Sequence, residues 1–99
     1  MLDLEWEDIA QDDLLSIVVY IAADNPHAAK ALKDEIEEKV DVLRKQPRMY
    51  KAGRVEGTRE LVVRDNYIVV YKEDGFMVSV LRVLHAARND AFNAEPQDE

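Results

Sequence analysis

The 99-residue chain carries a net charge of −8, 47% hydrophobic residues and no cysteine. This length and composition predict one soluble globular domain, and the missing cysteines exclude a disulfide framework and a Cys-ligated zinc site. Asp3 and Glu5 stand where a signal peptide needs basic residues, and no apolar stretch approaches the roughly 20 residues of a membrane span. We therefore expect a cytoplasmic protein with a single domain over residues 1–92 and a polar, frayed tail over residues 93–99.

Positive charge is concentrated in one segment of this acidic chain. Residues 42–64 carry seven Lys/Arg against two Asp/Glu, a net charge of +5. Such a segment favours a surface that faces an anion or an acidic partner, and solvated arginines at a sheet edge are the alternative. The acidic balance of the whole chain argues against indiscriminate binding to nucleic acid, because phosphate affinity needs clustered Lys/Arg.

The N-terminal region predicts a strand followed by a helix. Leu4 and Trp6 alternate with acidic residues, which is typical of a short half-buried strand. Asp8 can act as a helix N-cap, with Gln11 as the returning member of a capping box. Helical spacing of apolar residues then predicts an amphipathic helix over residues 9–23. The residues of its buried face are Ala10, Leu14, Ile17, Val18 and Ile21.

A second helix is predicted over residues 26–44. Asn25 can cap it, and Pro26 suits its first position because a proline lacks the N–H that would be unpaired there. Its buried stripe is Ala29, Leu32, Ile36, Val40 and Leu43, and its outer face carries Asp34, Glu35, Glu37 and Glu38. The short linker between the helices predicts an antiparallel helical hairpin.

A basic loop is predicted over residues 46–53, and three strands follow it over residues 59–64, 67–72 and 76–84. Turn signals at Asp65-Asn66 and Glu73-Asp74-Gly75 separate them, so consecutive strands are expected to be antiparallel neighbours. The order β-α-α-β-β-β predicts an α+β domain in which the helical hairpin packs on a mostly antiparallel four-stranded sheet.

Alternation along the central predicted strand separates two faces of the sheet. We expect Ile68 and Val70 to pack against the helical hairpin. The other residues of this strand, Tyr67, Val69 and Tyr71, are expected to line the opposite, more open face beside the arginines.

His85 and Arg82 could each have either a binding role or a structural role. His85 follows an apolar run where a strand leaves the sheet, a common place for binding residues, and a partly buried histidine bonded to the backbone is the alternative. No second His or Cys and no paired carboxylate stands near it at ligand spacing, so neither a metal nor a cofactor is predicted. Arg82 lies between Leu81 and Val83, and a structural ion pair is the preferred interpretation.

A metal-free ribonuclease is chemically possible. It needs a base for the ribose 2′-hydroxyl, cations for the phosphate and an acid for the leaving oxygen. No residue is an obvious base, although Glu60 or Tyr67 could be proposed. The residues that could supply the cations and the acid are Arg59, Arg64, Arg82, Arg88 and His85.

Several short motifs follow one another along nearly the whole chain. They are Trp6 ahead of Ala10-Gln11-Asp12-Asp13-Leu14, then Asn25-Pro26-His27-Ala28-Ala29, Gly57-Thr58-Arg59-Glu60-Leu61, Asn66-Tyr67-Ile68-Val69-Val70-Tyr71 and Arg82-Val83-Leu84-His85. This ordered set resembles the RelE/ParE superfamily of toxins from bacterial type II toxin–antitoxin modules. The resemblance implies a cytoplasmic toxin whose cognate antitoxin wraps around it. Operator DNA would be bound through the antitoxin, with no direct specific DNA binding by this chain.

The branches of that superfamily differ in target. RelE-like members cleave mRNA on the ribosome, whereas ParE-like members inhibit DNA gyrase without the catalytic set. The ending Leu84-His85-Ala86-Ala87-Arg88 is similar to the ParE branch, since no tyrosine follows Tyr71. The resemblance thus implies a gyrase inhibitor that is not an enzyme. Two alternatives stay open, a RelE-like mRNA endoribonuclease with His85 as proton donor and an inactive member that only binds the antitoxin. The target-binding residues in the ParE-like interpretation would be Arg59, Arg64, Arg82, His85 and Arg88.

Overall fold

The computed structural model describes residues 1–86 of the chain. In chain order the elements are β1 (Asp3–Trp6), α1 (Asp8–Ala22), α2 (Pro26–Val42), β2 (Arg59–Val63), β3 (Tyr67–Glu73) and β4 (Met77–His85). This order confirms the predicted β-α-α-β-β-β arrangement. Within these residues, no helix is both long enough and apolar enough to cross a membrane.

The four strands form one sheet in the order β1-β4-β3-β2. β2, β3 and β4 are antiparallel neighbours, as their short turns require, and β1 lies parallel to β4. The mostly antiparallel sheet predicted from the sequence is therefore confirmed. Its one parallel pair puts β1 at an outer edge, beside β4.

The beginning of α1 differs from the sequence prediction. Glu7, rather than Asp8, is the N-cap residue, and its side chain makes no capping hydrogen bond. The N–H group of Glu7 donates to the carbonyl of Val80 (2.9 Å), so the sheet ladder extends to the last residue before the helix. Gln11 does not complete a capping box: its Nε2 donates to the carbonyl of Trp6 at 3.1 Å.

The beginning of α2 is as predicted. Asn25 Oδ1 accepts a hydrogen bond from the N–H of Ala28 at 3.1 Å, and Pro26 is the first helical residue. The helix ends at Val42, two residues earlier than expected. Arg44 contacts the first strand instead: its Nε donates to the carbonyl of Leu2 at 2.8 Å, and its own carbonyl accepts the N–H of Leu2.

The main hydrophobic core lies between the helical hairpin and one face of the sheet. The expectation that Ile68 and Val70 form this face was wrong, because the core contains Tyr67, Val69 and Tyr71. Two observations explain the reversal. First, the register opposes these odd-numbered residues to core residues of β2, for instance Val69 to Leu61. Second, the hydroxyl of the fully buried Tyr71 donates to the carbonyl of Pro47 at 2.9 Å, so a tyrosine can face the core with its polar atom paired.

Candidate functional site

The site residues predicted from the sequence do not lie together at one place in the sheet. Arg59 lies opposite Tyr71 at one end of β2. Arg64 follows the other end of β2, about 16 Å away by the rise of an extended chain. His85 lies at that second end too, since it is opposite Tyr67, which pairs in turn with Val63. Arg88 lies outside the described residues. We call the group of Arg64, Tyr67 and His85 the His85 end of the sheet.

Three of the arginines predicted as site residues lie within residues 1–86, and each of them contacts an oxygen of this chain. Arg59 donates to the carbonyl of Tyr50 at 2.7 Å, which fixes the basic loop against β2. Arg64 Nε lies 2.7 Å from Glu35 Oε1, an ion pair that connects the β2–β3 turn to α2. The ion pair with Glu35 offsets part of the positive charge that the sequence concentrates between residues 42 and 64.

Arg82 forms the structural ion pair that its position in the sequence suggested. Its Nε and one terminal nitrogen donate to the two carboxylate oxygens of Asp13, at 2.7 and 3.2 Å. Asp13 also accepts the N–H of Val83 at 3.0 Å. The pairing of β4 with β1 ends where Trp6 lies opposite Val80. Beyond that point, the Asp13 carboxylate binds a backbone N–H of β4. Asp13 therefore connects α1 to β4.

The rings of His85 and Tyr67 meet edge to face at the His85 end. Their centroids are 5.0 Å apart and their planes are inclined by 81°. Tyr67 is buried, whereas His85 is half-exposed and reaches the surface. An imidazole, a phenol and a nearby guanidinium could bind an acidic partner or take part in proton transfer. Among residues 1–86, no group of three His, Cys, Asp or Glu side chains is arranged to hold a metal ion.

The β2–β3 turn has an uncommon backbone at this end of the sheet. Arg64 and Asp65 have φ angles of 55° and 61°, so both central residues of the turn are left-handed. The N–H of Asn66 donates to the carbonyl of Val63 at 3.2 Å and closes the turn. Glycine and asparagine are the usual residues at left-handed positions of a hairpin turn, and an arginine there is unusual.

A furrow between β1 and the helical hairpin was missed by sequence reasoning. It consists of two hollows of about 340 and 540 Å³, and Trp6 and Glu37 line both. The first is mainly apolar and lies between the two helices, where Leu14, Leu15 and Val18 form its wall. The second has Leu4 and Trp6 as its apolar surface, with acidic residues beside them. These acids are Asp34, Glu37, Glu38 and Asp41. The sequence showed the acids of α2 only as an outer helix face.

Negative charge is crowded on β1 and on α2. Glu7 raises the pKa of the Glu5 carboxyl through a hydrogen bond and through its own negative charge. Lys30 acts in the opposite direction on Asp34, whose pKa is lowered by their 2.7 Å hydrogen bond. β1 and α2 therefore both present acidic side chains.

The outer face of α1 is unusually apolar for a surface helix. Only Ala10 and Leu14 of this helix are buried. Four large apolar side chains are between 52% and 75% exposed: Ile9, Leu15, Val19 and Tyr20. A set of this size on one helix indicates a surface that a partner covers.

One helical hairpin on a four-stranded mixed sheet is a fold found among toxin–antitoxin proteins. A chain of the chromosomal ParDE toxin–antitoxin system from P. aeruginosa superposes with a TM-score of 0.74 at 24% sequence identity, covering 86% of this chain and 96% of that chain. A conserved hypothetical protein from Helicobacter pylori superposes with a TM-score of 0.54 at 19% identity, over 88% of this chain and 97% of that chain. At these identities the likeness establishes the fold.

Sequence similarity establishes the family. The candidate toxin Y4kP of Sinorhizobium fredii (strain NBRC 101917 / NGR234) is 37% identical over 84 residues, which is 84% of this chain and 86% of that protein. Residues 4–90 match the family described as ParE toxin of type II toxin–antitoxin system, parDE. The chain therefore belongs to the ParE toxin family, the branch of the RelE/ParE superfamily that its sequence motifs resemble.

Proposed function

We propose that this chain is a toxin that binds and inhibits DNA gyrase in the cytoplasm and that a cognate antitoxin holds inactive. One observation supports a protein target rather than the cleavage of RNA. Arg59, Arg64 and Arg82 are each bound by an oxygen of the chain itself, and the net charge is −8. Phosphate binding and phosphoryl-transfer chemistry require cations that converge on the substrate, whereas a protein target can be recognised by mixed polar contacts.

The target surface that we propose lies at the His85 end of the sheet. His85 is half-exposed there, and Arg64 keeps 45% of its side chain accessible despite the pair with Glu35. Both can contact an acidic protein surface, and Arg88 follows three residues later in the sequence. Arg59 and Arg82 contribute by fixing the loop and α1 against the sheet. Loss of a desolvated arginine at an interface often costs about 2 kcal/mol or more of binding free energy.

The antitoxin site that we propose is the helical hairpin together with the adjoining sheet edge. The exposed apolar face of α1 and the furrow beside it offer the surface that a stable complex needs, above roughly 1,000 Å² in total. Binding of operator DNA would then belong to the antitoxin, because this acidic chain is a poor ligand for phosphates.

The test compares two activities of the purified protein. We expect inhibition of gyrase-catalysed supercoiling of relaxed plasmid, relieved by adding the antitoxin encoded beside this gene. We expect no codon-dependent cuts when the protein is incubated with ribosomes and mRNA. His85→Gln should weaken gyrase inhibition, and His27→Gln, at the exposed start of α2, is the matched control that should not.

The two other interpretations give different results in the same assays. A RelE-like ribonuclease would cut mRNA on the ribosome, and His85→Gln would abolish cleavage while leaving ribosome binding largely unchanged. Its structural support is the contact between His85 and Tyr67, which could pair a proton donor with a phenol. A member that only binds its antitoxin would do neither, yet would still form the complex. Either result would overturn gyrase inhibition as the function.

A further inference from the structure

Two tyrosines on the core face of β3 differ in how their hydroxyl groups are hydrogen-bonded. Tyr71 is 0% exposed, and its hydroxyl donates to the carbonyl of Pro47 at 2.9 Å. Tyr67 is 9% exposed and belongs to the same core cluster. Within residues 1–86, the hydroxyl of Tyr67 has no hydrogen-bond partner. Buried polar groups in proteins are nearly always hydrogen-bonded, so the hydroxyl of Tyr67 calls for a reason other than stability.

The Tyr67 side chain lies at the end of the sheet, beside a residue that reaches the surface. The N–H of Ala86 donates to the carbonyl of Asn66, so the next pair along, Tyr67 and His85, has no backbone hydrogen bonds of its own. Side chains of such a pair lie closest together. The two rings meet with centroids 5.0 Å apart, and His85 is half-exposed. The phenol therefore lies at the rim of the core, next to the surface.

The groups at the His85 end of the sheet favour an anionic acceptor. Arg64 keeps 45% of its side chain accessible while its Nε pairs with Glu35. A guanidinium can only donate hydrogen bonds, a phenol donates one, and an imidazole donates from at least one ring nitrogen. A carboxylate only accepts hydrogen bonds, and bonds to it are stronger than those to a neutral acceptor. An acidic side chain of a partner therefore matches these donors better than a basic side chain does.

We propose that the hydroxyl of Tyr67 donates a hydrogen bond to an acidic side chain of the target protein, beside the contact that His85 makes. The naming of gyrase as that target rests on the proposed function; the availability of the hydroxyl rests on its lack of a partner within residues 1–86. One side chain then has two roles, since the ring packs in the core and the hydroxyl recognises the partner. A phenylalanine would fill the core equally well but would leave the acid without this donor.

The same substitution at the two tyrosines separates recognition from folding. Tyr67→Phe removes only the hydroxyl, so we expect the midpoint of thermal unfolding to stay the same or rise. The concentration needed for half-inhibition of gyrase supercoiling should rise about tenfold or more, because a hydrogen bond to a charged group is lost. Tyr71→Phe is the matched control. Loss of its bond to Pro47 should lower the midpoint by about 4–8 °C and leave inhibition unchanged below that temperature.

Several results would overturn this role of Tyr67. Equal inhibition by Tyr67→Phe and the unsubstituted protein would do so, and so would a midpoint lowered as far as that of Tyr71→Phe, because the hydroxyl would then have a structural partner. Ribosome-dependent mRNA cleavage that is lost in Tyr67→Phe would assign the hydroxyl to RNA instead of an acidic side chain. If the unsubstituted protein did not inhibit gyrase, the proposed function would fail together with this inference, a result distinguishable from the loss of the Tyr67 effect alone.

Discussion

Asp13 connects two parts of the molecule that are far apart in sequence. Its carboxylate binds the guanidinium of Arg82 and the N–H of Val83, which are 69 and 70 residues away. The side chain of Asp13 is only 16% exposed and that of Arg82 34%. A pair with this burial and three hydrogen bonds contributes more than a solvated surface pair.

Substitutions at Asp13 and Arg82 should therefore have unequal effects on stability. We expect Asp13→Ala to lower the free energy of unfolding by about 2 kcal/mol, because it removes the acceptor of the Val83 N–H and the ion pair with Arg82. Arg82→Ala should cost less, since Asp13 can still accept the Val83 N–H. Urea unfolding of the two variants measures the difference. Equal losses would mean that the backbone hydrogen bond contributes nothing.

Arg64 allows structural and functional roles to be separated at one residue. Arg64→Gly removes the left-handed strain of a non-glycine residue, about 1 kcal/mol, and also removes an ion pair with Glu35 that is worth at most about 1 kcal/mol. We expect stability equal to or above that of the unsubstituted protein, together with weaker gyrase inhibition. Thermal unfolding and the supercoiling assay measure the two effects.

Asp65→Gly is the matched control for this experiment. Asp65 shares the left-handed conformation of the turn but is not a cation, so its replacement should relieve the backbone and leave inhibition unchanged. Full inhibition by Arg64→Gly would remove Arg64 from the target surface.

At the scale of elements, the two faces of β3 lie in different surroundings. Val69 is fully buried in the core between the sheet and the helices, whereas Val70 is buried outside that cluster. On the Val70 side, the opposing residues of β2 and β4 are Glu60 and Arg82, both polar. The two valines therefore occupy environments of different composition on the two faces of one strand.

Truncation of these two valines should separate the faces. We expect Val69→Ala to lower the free energy of unfolding by about 2–3 kcal/mol, because the cavity would lie in the main core, and Val70→Ala to cost less. This order is the reverse of the one that follows from placing Val70 on the helix side, as the sequence analysis did. Denaturant unfolding at equal protein concentration measures both losses. A larger loss for Val70→Ala would contradict the assignment of the core face.

At the scale of the whole molecule, the two proposed contact surfaces occupy different regions. The exposed apolar face of α1 and the furrow lie on the hairpin side, and the His85 end lies where β3 begins and β4 finishes. If the antitoxin covers the first and gyrase contacts the second, variants at one surface should leave the other function intact.

The α1 surface tests this separation. Leu15→Ser and Val19→Ser replace side chains that are 60% and 59% exposed, so we expect changes of at most about 0.5 kcal/mol in stability. Their affinity for the antitoxin should fall about tenfold or more, measured by calorimetry, while gyrase inhibition is kept. Val55→Ser is the matched control, since Val55 is 50% exposed in the segment between α2 and β2. Unchanged affinity in both α1 variants would exclude this face as the antitoxin site.

The sequence by itself determined the elements, their order and the family of this protein. Local signals were sufficient there: Asn25-Pro26 marks the start of α2, and Asp65-Asn66 coincides with the β2–β3 turn. The same local rules were wrong at the N-terminus of α1, where a sheet hydrogen bond from Glu7 took precedence over the expected cap at Asp8. Capping signals describe isolated helix ends and contain no information about a neighbouring strand.

Only the tertiary structure decided which face of β3 is the core and where charged groups find partners. Alternation separates two faces but does not say which one meets the helices, and the register with β2 decided this for Val69. The pair of Asp13 with Arg82 and the furrow between β1 and α2 join residues that are distant in sequence. Such contacts depend on how the elements pack together, and that packing is a property of the whole chain.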